Sequence, residues 1–132
     1  MKFLLDTHVL LWWCQASKEL PQSHAQVLHH PQSGQPFYVS GISLWEIATL
    51  YDLKRIRLML PLGEWLERAV APPLVQCCSI SPAIAAEVAS LPSSFHRDPA
   101  DRIIVATSRI LGATLLTVDQ RIIQSEIVPT LS

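Results

Sequence analysis

Charge is what this chain has least of. Only 16% of its 132 residues are Asp, Glu, Lys or Arg and the formal net charge is −1, where a typical globular domain carries roughly a quarter charged residues. A balance this close to zero leaves no overall electrostatic footprint of a nucleic-acid binder, so any such binding has to come from local basic clusters. Cysteine is also scarce. The three present, Cys14, Cys77 and Cys78, are an odd number without metal-ligand spacing. Neighbours in a strand point to opposite faces, so Cys77 and Cys78 cannot both grip one metal from there. Free thiols in a reducing cytosol are the simpler reading. No apolar run approaches the roughly 20 residues of a membrane span, and Asp6 interrupts the N-terminal apolar stretch too early for a signal peptide. The expectation is a soluble, cytoplasmic protein. No repeat, low-complexity tract or linker divides the chain.

Apolar residues, by contrast, make up 49% of the sequence. At this length there is room for one domain, residues 1–132, with enough buried surface for its own core. Disorder is excluded on the same ground. The apolar surplus points to a face covered in a homo-oligomer or under a partner.

Short apolar runs alternate with longer helical stretches, which predicts βα units on a parallel sheet. Phe3-Leu4-Leu5 reads as the first strand and a helix follows through Trp13. Pro21 opens a second helix running to about His30. Phe37–Ser40 is the second strand, and Ser43 begins the next helix. A short helix covers Leu62 to Val70, Pro72-Pro73 end it, and Leu74–Ile80 forms the third strand. Helices follow over Pro82–Ser90 and Pro99–Leu111. Asp98 is placed to cap the latter and Gly112 to stop it. Leu115–Val118 is the fourth strand, and Ile127-Val128 a fifth at the edge. The fold class is therefore α/β, with a central parallel sheet of four to five strands.

Five of the eleven acidic residues fall just beyond a predicted strand or in the first turn of a predicted helix: Asp6, Glu46, Asp98, Asp101 and Asp119. In an open parallel sheet the loops leaving the carboxyl ends of the strands share one rim, where ligands bind. Taken singly, each acid is explained as a helix cap. Ser43-Leu44-Trp45-Glu46 fits the capping-box pattern, Asp98 is an ordinary N-cap, and Asp6 and Asp119 precede short helices. Taken together they ask for something positive. Like charges 4 Å apart repel by roughly 4 kcal/mol at an effective dielectric near 20, so acids gathered at one rim take up protons or hold a cation. Carboxylates are the ligands that Mg²⁺ and Mn²⁺ prefer, and such a centre suits phosphodiester hydrolysis.

The residues around these acids resemble four motifs of one family. Leu4-Leu5-Asp6-Thr7-His8-Val9-Leu10-Leu11-Trp12 is similar to the opening of PIN-domain toxins of the VapC type. Ile42–Ala48 resembles their second motif, His96–Ala106 their third, and Leu116-Thr117-Val118-Asp119 their fourth. The order and spacing match over nearly the whole chain. The resemblance implies a three-layer α/β/α PIN-like fold, RNA cleavage dependent on Mg²⁺ or Mn²⁺, inhibition by a cognate antitoxin, and a homodimer. It carries over Asp6, Glu46, Asp101 and Asp119 as the catalytic and metal-binding set. Asp98, Thr7, Ser43 and Thr117 become supports. One departure stands out: Lys54-Arg55-Ile56-Arg57 lacks the glycine often found near there, which puts the loop after it in question.

Arg97 and Arg102 flank the third-motif acids. They read either as contacts to an RNA phosphate or as counter-ions of those acids. Lys54, Arg55 and Arg57 form the one dense basic cluster, a backbone-tracking strip or a solvated helix end. His8 and His96 lie near the rim without a fixed role. His24, His29 and His30 read as surface residues of one helix, and Trp12, Trp13, Trp45 and Trp65 as core or interface. Two rival classes remain. One is a PIN-like binding protein without catalysis, which the intact acidic set disfavours. The other is an Asp-dependent phosphatase or receiver. That would show D-x-D, where position 8 is His, or a late lysine, and none follows Lys54.

Overall fold

The computed structural model describes residues 1–132. Its elements run β1 (Phe3–Leu5), α1 (Thr7–Cys14), α2 (Gln22–Leu28), β2 (Phe37–Ser40), α3 (Gly41–Asp52), α4 (Leu62–Ala69), β3 (Val75–Cys78), α5 (Pro82–Ser90), α6 (Pro99–Leu111), β4 (Thr114–Leu116), α7 (Gln120–Ser125) and β5 (Thr130–Leu131). The five strands make one sheet in the order β3-β2-β1-β4-β5, with every pair parallel. The order of strand addition reverses at β1: β2 and β3 are added on one side of it and β4 and β5 on the other. That is the switch point at which open α/β sheets form a crevice.

The alternation of side chains along a strand divides the core in two. Leu5, Val39 and Leu116 pack with Val9 and Leu10 of α1, Leu28 of α2, Ile47 of α3 and Trp65 of α4. Their neighbours Leu4, Tyr38 and Leu115 face the other way, onto Ile104 and Val105 of α6 and Ile122 of α7. The result is three layers, as expected. No helix is long and apolar enough to cross a membrane.

The departures from expectation are local and have identifiable causes. Helix α3 begins at Gly41, because the Ser40 hydroxyl at the end of β2 accepts from the Ile42 N–H. Ser43 is therefore no cap, and Glu46 sits in the second turn instead of closing a capping box. Strand β4 stops at Leu116 because Thr117 Oγ1 takes the Asp119 N–H into a local turn. The fifth strand is Thr130–Leu131, not Ile127-Val128. Glu126 ends α7 in the left-handed region, Val128 drops into the core, and the chain reaches the edge only at Pro129. His24 is not a surface residue: it is fully buried, with Nε2 2.5 Å from the Leu131 carbonyl.

Two helices end in the same Schellman geometry with different residues. After α6, Gly112 (φ 64°) and Ala113 direct their N–H groups to Arg109 and Ser108. After α3, Lys54 (φ 59°) and Arg55 donate likewise to Tyr51 and Leu50. The expected glycine is thus replaced by a lysine held in the left-handed region. A Cβ at Gly112 would touch nothing, so only backbone strain separates the residues. Gly112→Ala should cost about 1 kcal/mol, while Lys54→Gly should gain about 0.5 kcal/mol, strain relief exceeding the entropy of the freer chain. Thermal unfolding should show the two midpoints moving in opposite directions.

Candidate metal centre

Capping and convergence turn out to be one arrangement. Asp6 caps α1, its Oδ1 accepting from the Thr7 N–H at 2.8 Å. Asp119 caps α7 through the Arg121 N–H at 2.9 Å. Asp98 caps α6 and so sets Asp101 in the first turn of that helix. Because α1, α6 and α7 all begin at the same rim, their first turns meet. Asp6, Glu46, Asp98, Asp101 and Asp119 line one cleft of about 400 Å³. A larger depression of about 800 Å³ lies at the opposite rim, around Pro36, Pro72 and Gln76. No carboxylate or basic group lines it, so the smaller cleft is the candidate site.

Hydroxyl groups hold the acids in place. Thr117 Oγ1 donates to Asp6 Oδ2 at 2.6 Å while accepting the Asp119 N–H, tying the ends of β1 and β4 together. Thr7 Oγ1 bonds both Glu46 Oε1 and Ser43 Oγ. Its single proton serves one of them, so with Glu46 ionised Thr7 donates to the carboxylate and accepts from Ser43. Thr7, Ser43 and Thr117 are all buried, and each expected support touches an expected acid or its partner.

Burial is the largest single influence on all four carboxyls and sets the net direction for three of them. It raises Asp6 against the opposing bonds from Thr117 and Thr7, with Asp119 adding to the rise. It raises Glu46, with Asp6, Asp101 and Asp98 contributing repulsion. Asp101 is pushed up to about 6 by burial, only partly offset by its bond to His96, with Asp6, Asp98 and Asp119 raising it further. Burial works in the same direction on Asp119, but there the Arg121 side chain and N–H outweigh it and hold the carboxyl below its usual range. The site therefore carries more negative charge than its own surroundings compensate. A donor set made mostly of carboxylate oxygens in that condition fits a hard divalent cation. Ligand atoms of His96, Asp101 and Asp119 lie within 4.8 Å of one another, which adds a nitrogen donor beside the carboxylates.

The basic residues depart most from expectation. Arg102 is buried and contacts no phosphate-accessible surface. Its guanidinium donates to the carbonyls of Phe95 and His96 at 3.1 Å each and of Val88 at 3.4 Å, because the helix turn carries it away from Asp101 and into the protein. Arg97 is exposed and precedes Asp98 of the cleft in sequence, without itself lining the cleft. Two residues matter more than their sequence positions indicated. His96 places Nε2 2.7 Å from Asp101 Oδ2, and Arg121 reaches both Asp101 and Asp119. Arg121 follows the fourth-motif acid by two positions at a helix start, the one available signal. His8 and Trp12 line the cleft wall with tilted rings 5.7 Å apart. Trp65 is core, Trp13 packs edge-on against Phe37, and Trp45 is exposed. Lys54, Arg55 and Arg57 form the solvated end of α3.

A family model described as PIN domain matches residues 3–127. Ribonuclease VapC22 of Mycobacterium tuberculosis is 38% identical over 119 residues, 90% of this chain and 88% of that protein. Among solved structures the fold is similar to VapBC2 from Rickettsia felis bound to a DNA fragment from their promoter, at a TM-score of 0.73 and 15% identity over 99% of this chain and 98% of the other. It is similar to VapBC-1 from nontypeable Haemophilus influenzae at 0.72 and 15%, over 100% and 98%. A toxin–antitoxin complex from Klebsiella pneumoniae gives 0.66 and 19%, over 99% and 97%. At such identities the structural likeness speaks for the fold alone. The matched residues 3–127 take in all four acidic motifs, and with the 38% relative they show that the chain belongs to the PIN domain family.

Proposed function

We propose that this chain is a single-domain, divalent-cation-dependent endoribonuclease acting as the toxin of a toxin–antitoxin pair. The observation that carries the reading is the meeting of Asp6, Glu46, Asp101 and Asp119 in one cleft, three of them raised by burial. The relative called a ribonuclease and the neighbours solved as toxin–antitoxin complexes favour it independently.

In this reading Asp6 and Asp101 hold the principal cation, Mg²⁺ or Mn²⁺, with Glu46 and Asp119 completing its surroundings or orienting the attacking water. When bound, the cation supplies an acidified water as nucleophile and stabilises charge on the phosphate. The remaining work belongs to the chain. Thr117 fixes Asp6, the Thr7–Ser43 pair fixes Glu46, and His96 with the Asp98 cap fixes Asp101. Arg97, exposed and next in sequence to Asp98 of the cleft, would serve as a contact to an RNA phosphate. The exposed apolar side chains of Trp45, Tyr51, Leu53 and Met59 on and after α3 are available to an interface with a second copy or with the antitoxin. The cytoplasm is the compartment such a substrate requires.

Asp6→Asn should lower RNA cleavage in Mn²⁺ by more than the roughly 10–100-fold that loss of an outer-shell partner costs, whereas Thr117→Val should fall inside that range. The readout is initial cleavage rate with circular dichroism to confirm folding. Wild-type protein that cuts no RNA with either cation would leave a binding protein in place of an enzyme.

The Asp101 carboxyl gives a second, opposite signature. Its folded value of about 6 lies above the ordinary 3.8, so between those values the folded state binds a proton that the unfolded chain does not. Metal-free stability should therefore fall as pH rises from about 4 to about 6. Asp101→Asn should flatten this dependence and raise the melting temperature in chelator at neutral pH, while abolishing cleavage. Mn²⁺ affinity of the wild type should weaken below about pH 6, where a proton competes for the same oxygens. Thermal melts over that pH range, with chelator and with Mn²⁺, read both effects, and an Asn variant less stable than wild type at neutral pH contradicts them.

A further inference from the structure

We infer, on the reading of the centre proposed above, that Arg121 is an exchangeable counter-ion. It neutralises Asp101 and Asp119 while the centre lacks a divalent cation, is displaced when the cation takes those oxygens, and then binds a phosphate of the RNA.

The geometry is specific. Arg121 Nη2 lies 3.4 Å from Asp101 Oδ2 and 3.3 Å from Asp119 Oδ2, and Nε is 3.4 Å from Asp119 Oδ1. One guanidinium thus bridges two carboxylates that come from different helix starts. It is also the only basic side chain in contact with either of them apart from His96. A divalent cation drawing on the same two oxygens brings like charges together, and the two cannot share the position.

Which of them yields is decided by exposure. The Arg121 side chain is 60% exposed, and exposed pairs hold weakly because solvent screens them and side-chain entropy opposes them. Its placement owes nothing to helix stability either. Arg121 stands in the first turn of α7, the end at which a helix dipole disfavours a positive charge. The acids of the cleft are what keep it there. Once released, the guanidinium remains tethered at the mouth of the cleft, where its planar fork matches a phosphate better than an ammonium would. The charge that guards the vacant centre would then be reused on the substrate, and a chain of near-zero net charge would need no extended basic surface beside its acidic cleft.

The test compares wild type with Arg121→Gln, which keeps length without charge, and Arg121→Lys, which keeps charge without the fork. The cap of α7 uses the backbone N–H of residue 121, so the helix start survives both changes. Calorimetric titration with Mn²⁺ should show Arg121→Gln binding about five-fold more tightly at low salt, the scale of one exposed pair. The same variant should raise KM for a single-stranded RNA several-fold with kcat nearly unchanged. Its slope of log KM against log salt should drop by about 0.7, one phosphate contact on a single strand. Arg121→Lys should lie between the two. Unchanged or weaker Mn²⁺ binding in Arg121→Gln overturns the inference, as does an unchanged KM and salt slope. Asp101→Asn serves as the control. If wild type binds no Mn²⁺, or Asp101→Asn binds it equally well, the reading of the centre itself fails. Mn²⁺ binding that is lost in Asp101→Asn but indifferent to position 121 removes the inference alone.

Discussion

The structure is organised around an electrostatic cost: several carboxylates are brought into a partly buried cleft where their charges repel. Every polar element near the rim answers that cost. Thr117 donates a hydrogen bond to Asp6, Thr7 bonds Glu46, His96 meets Asp101, and Arg121 bridges Asp101 and Asp119. The compensation is incomplete, which is why burial still holds Asp6, Glu46 and Asp101 above their usual range. Capping alone would not require the burial of Asp6, since a cap works equally well in solvent, and Glu46 and Asp101 cap no helix at all. On the function proposed above, this residual deficit of positive charge is what a dication would fill.

The caps themselves show how the deficit is reached without sacrificing stability. A carboxylate has two oxygens. Asp6 spends Oδ1 on the first N–H of α1 and turns Oδ2 to Thr117. Asp119 accepts the Arg121 N–H with Oδ1 and faces the cleft with Oδ2. Helix starts converge at the carboxyl rim because the sheet is parallel and its order switches at β1, so cap positions and site positions coincide by topology. Capping and chemistry, opposed when each acid is considered singly, are compatible uses of the same side chain.

That coincidence explains what could be read from sequence. The three layers, strands β1 to β4 and helices α5 and α6 were legible because alternation, Pro and Gly punctuation and the Asp98–Gly112 frame act locally. Asp6, Asp98, Asp101 and Asp119 were legible because they sit at element boundaries, which strong local signals mark, whereas Glu46 lies in the second turn of α3 and was noticed through a capping box that does not form. Less local features escaped. Ser40 displaced Ser43 as the cap of α3, since both are serines near the end of a strand and only the backbone direction distinguishes them. Placing β5 depended on Val128 seeking the core before the chain could pair, a tertiary preference. His24 reads as polar by residue type, yet the Leu131 carbonyl gives it a partner that lies 107 positions away. Lys54 occupies the turn that a glycine would mark, so the usual signal was missing although the turn was not.

The two arginines illustrate the deeper limit. Arg102 adjoins Asp101 in sequence, and adjacency invited a role at the phosphate. On a helix successive side chains diverge by about 100°, so the neighbour of a rim residue points elsewhere. Arg102 enters the protein, lies 5.9 Å from the Phe95 ring and gathers the carbonyls of Val88, Phe95 and His96. It thereby closes the loop between α5 and α6 and sets the backbone of His96, whose ring then meets Asp101. An arginine that never touches the cleft thus orients one of its acids, at one remove. Arg121 is twenty positions from Asp101 and touches it directly, because β4 returns the chain to the same rim. In a parallel α/β sheet, nearness to the site is inherited from the ends of strands and from helix starts, and only secondarily from nearness along the chain.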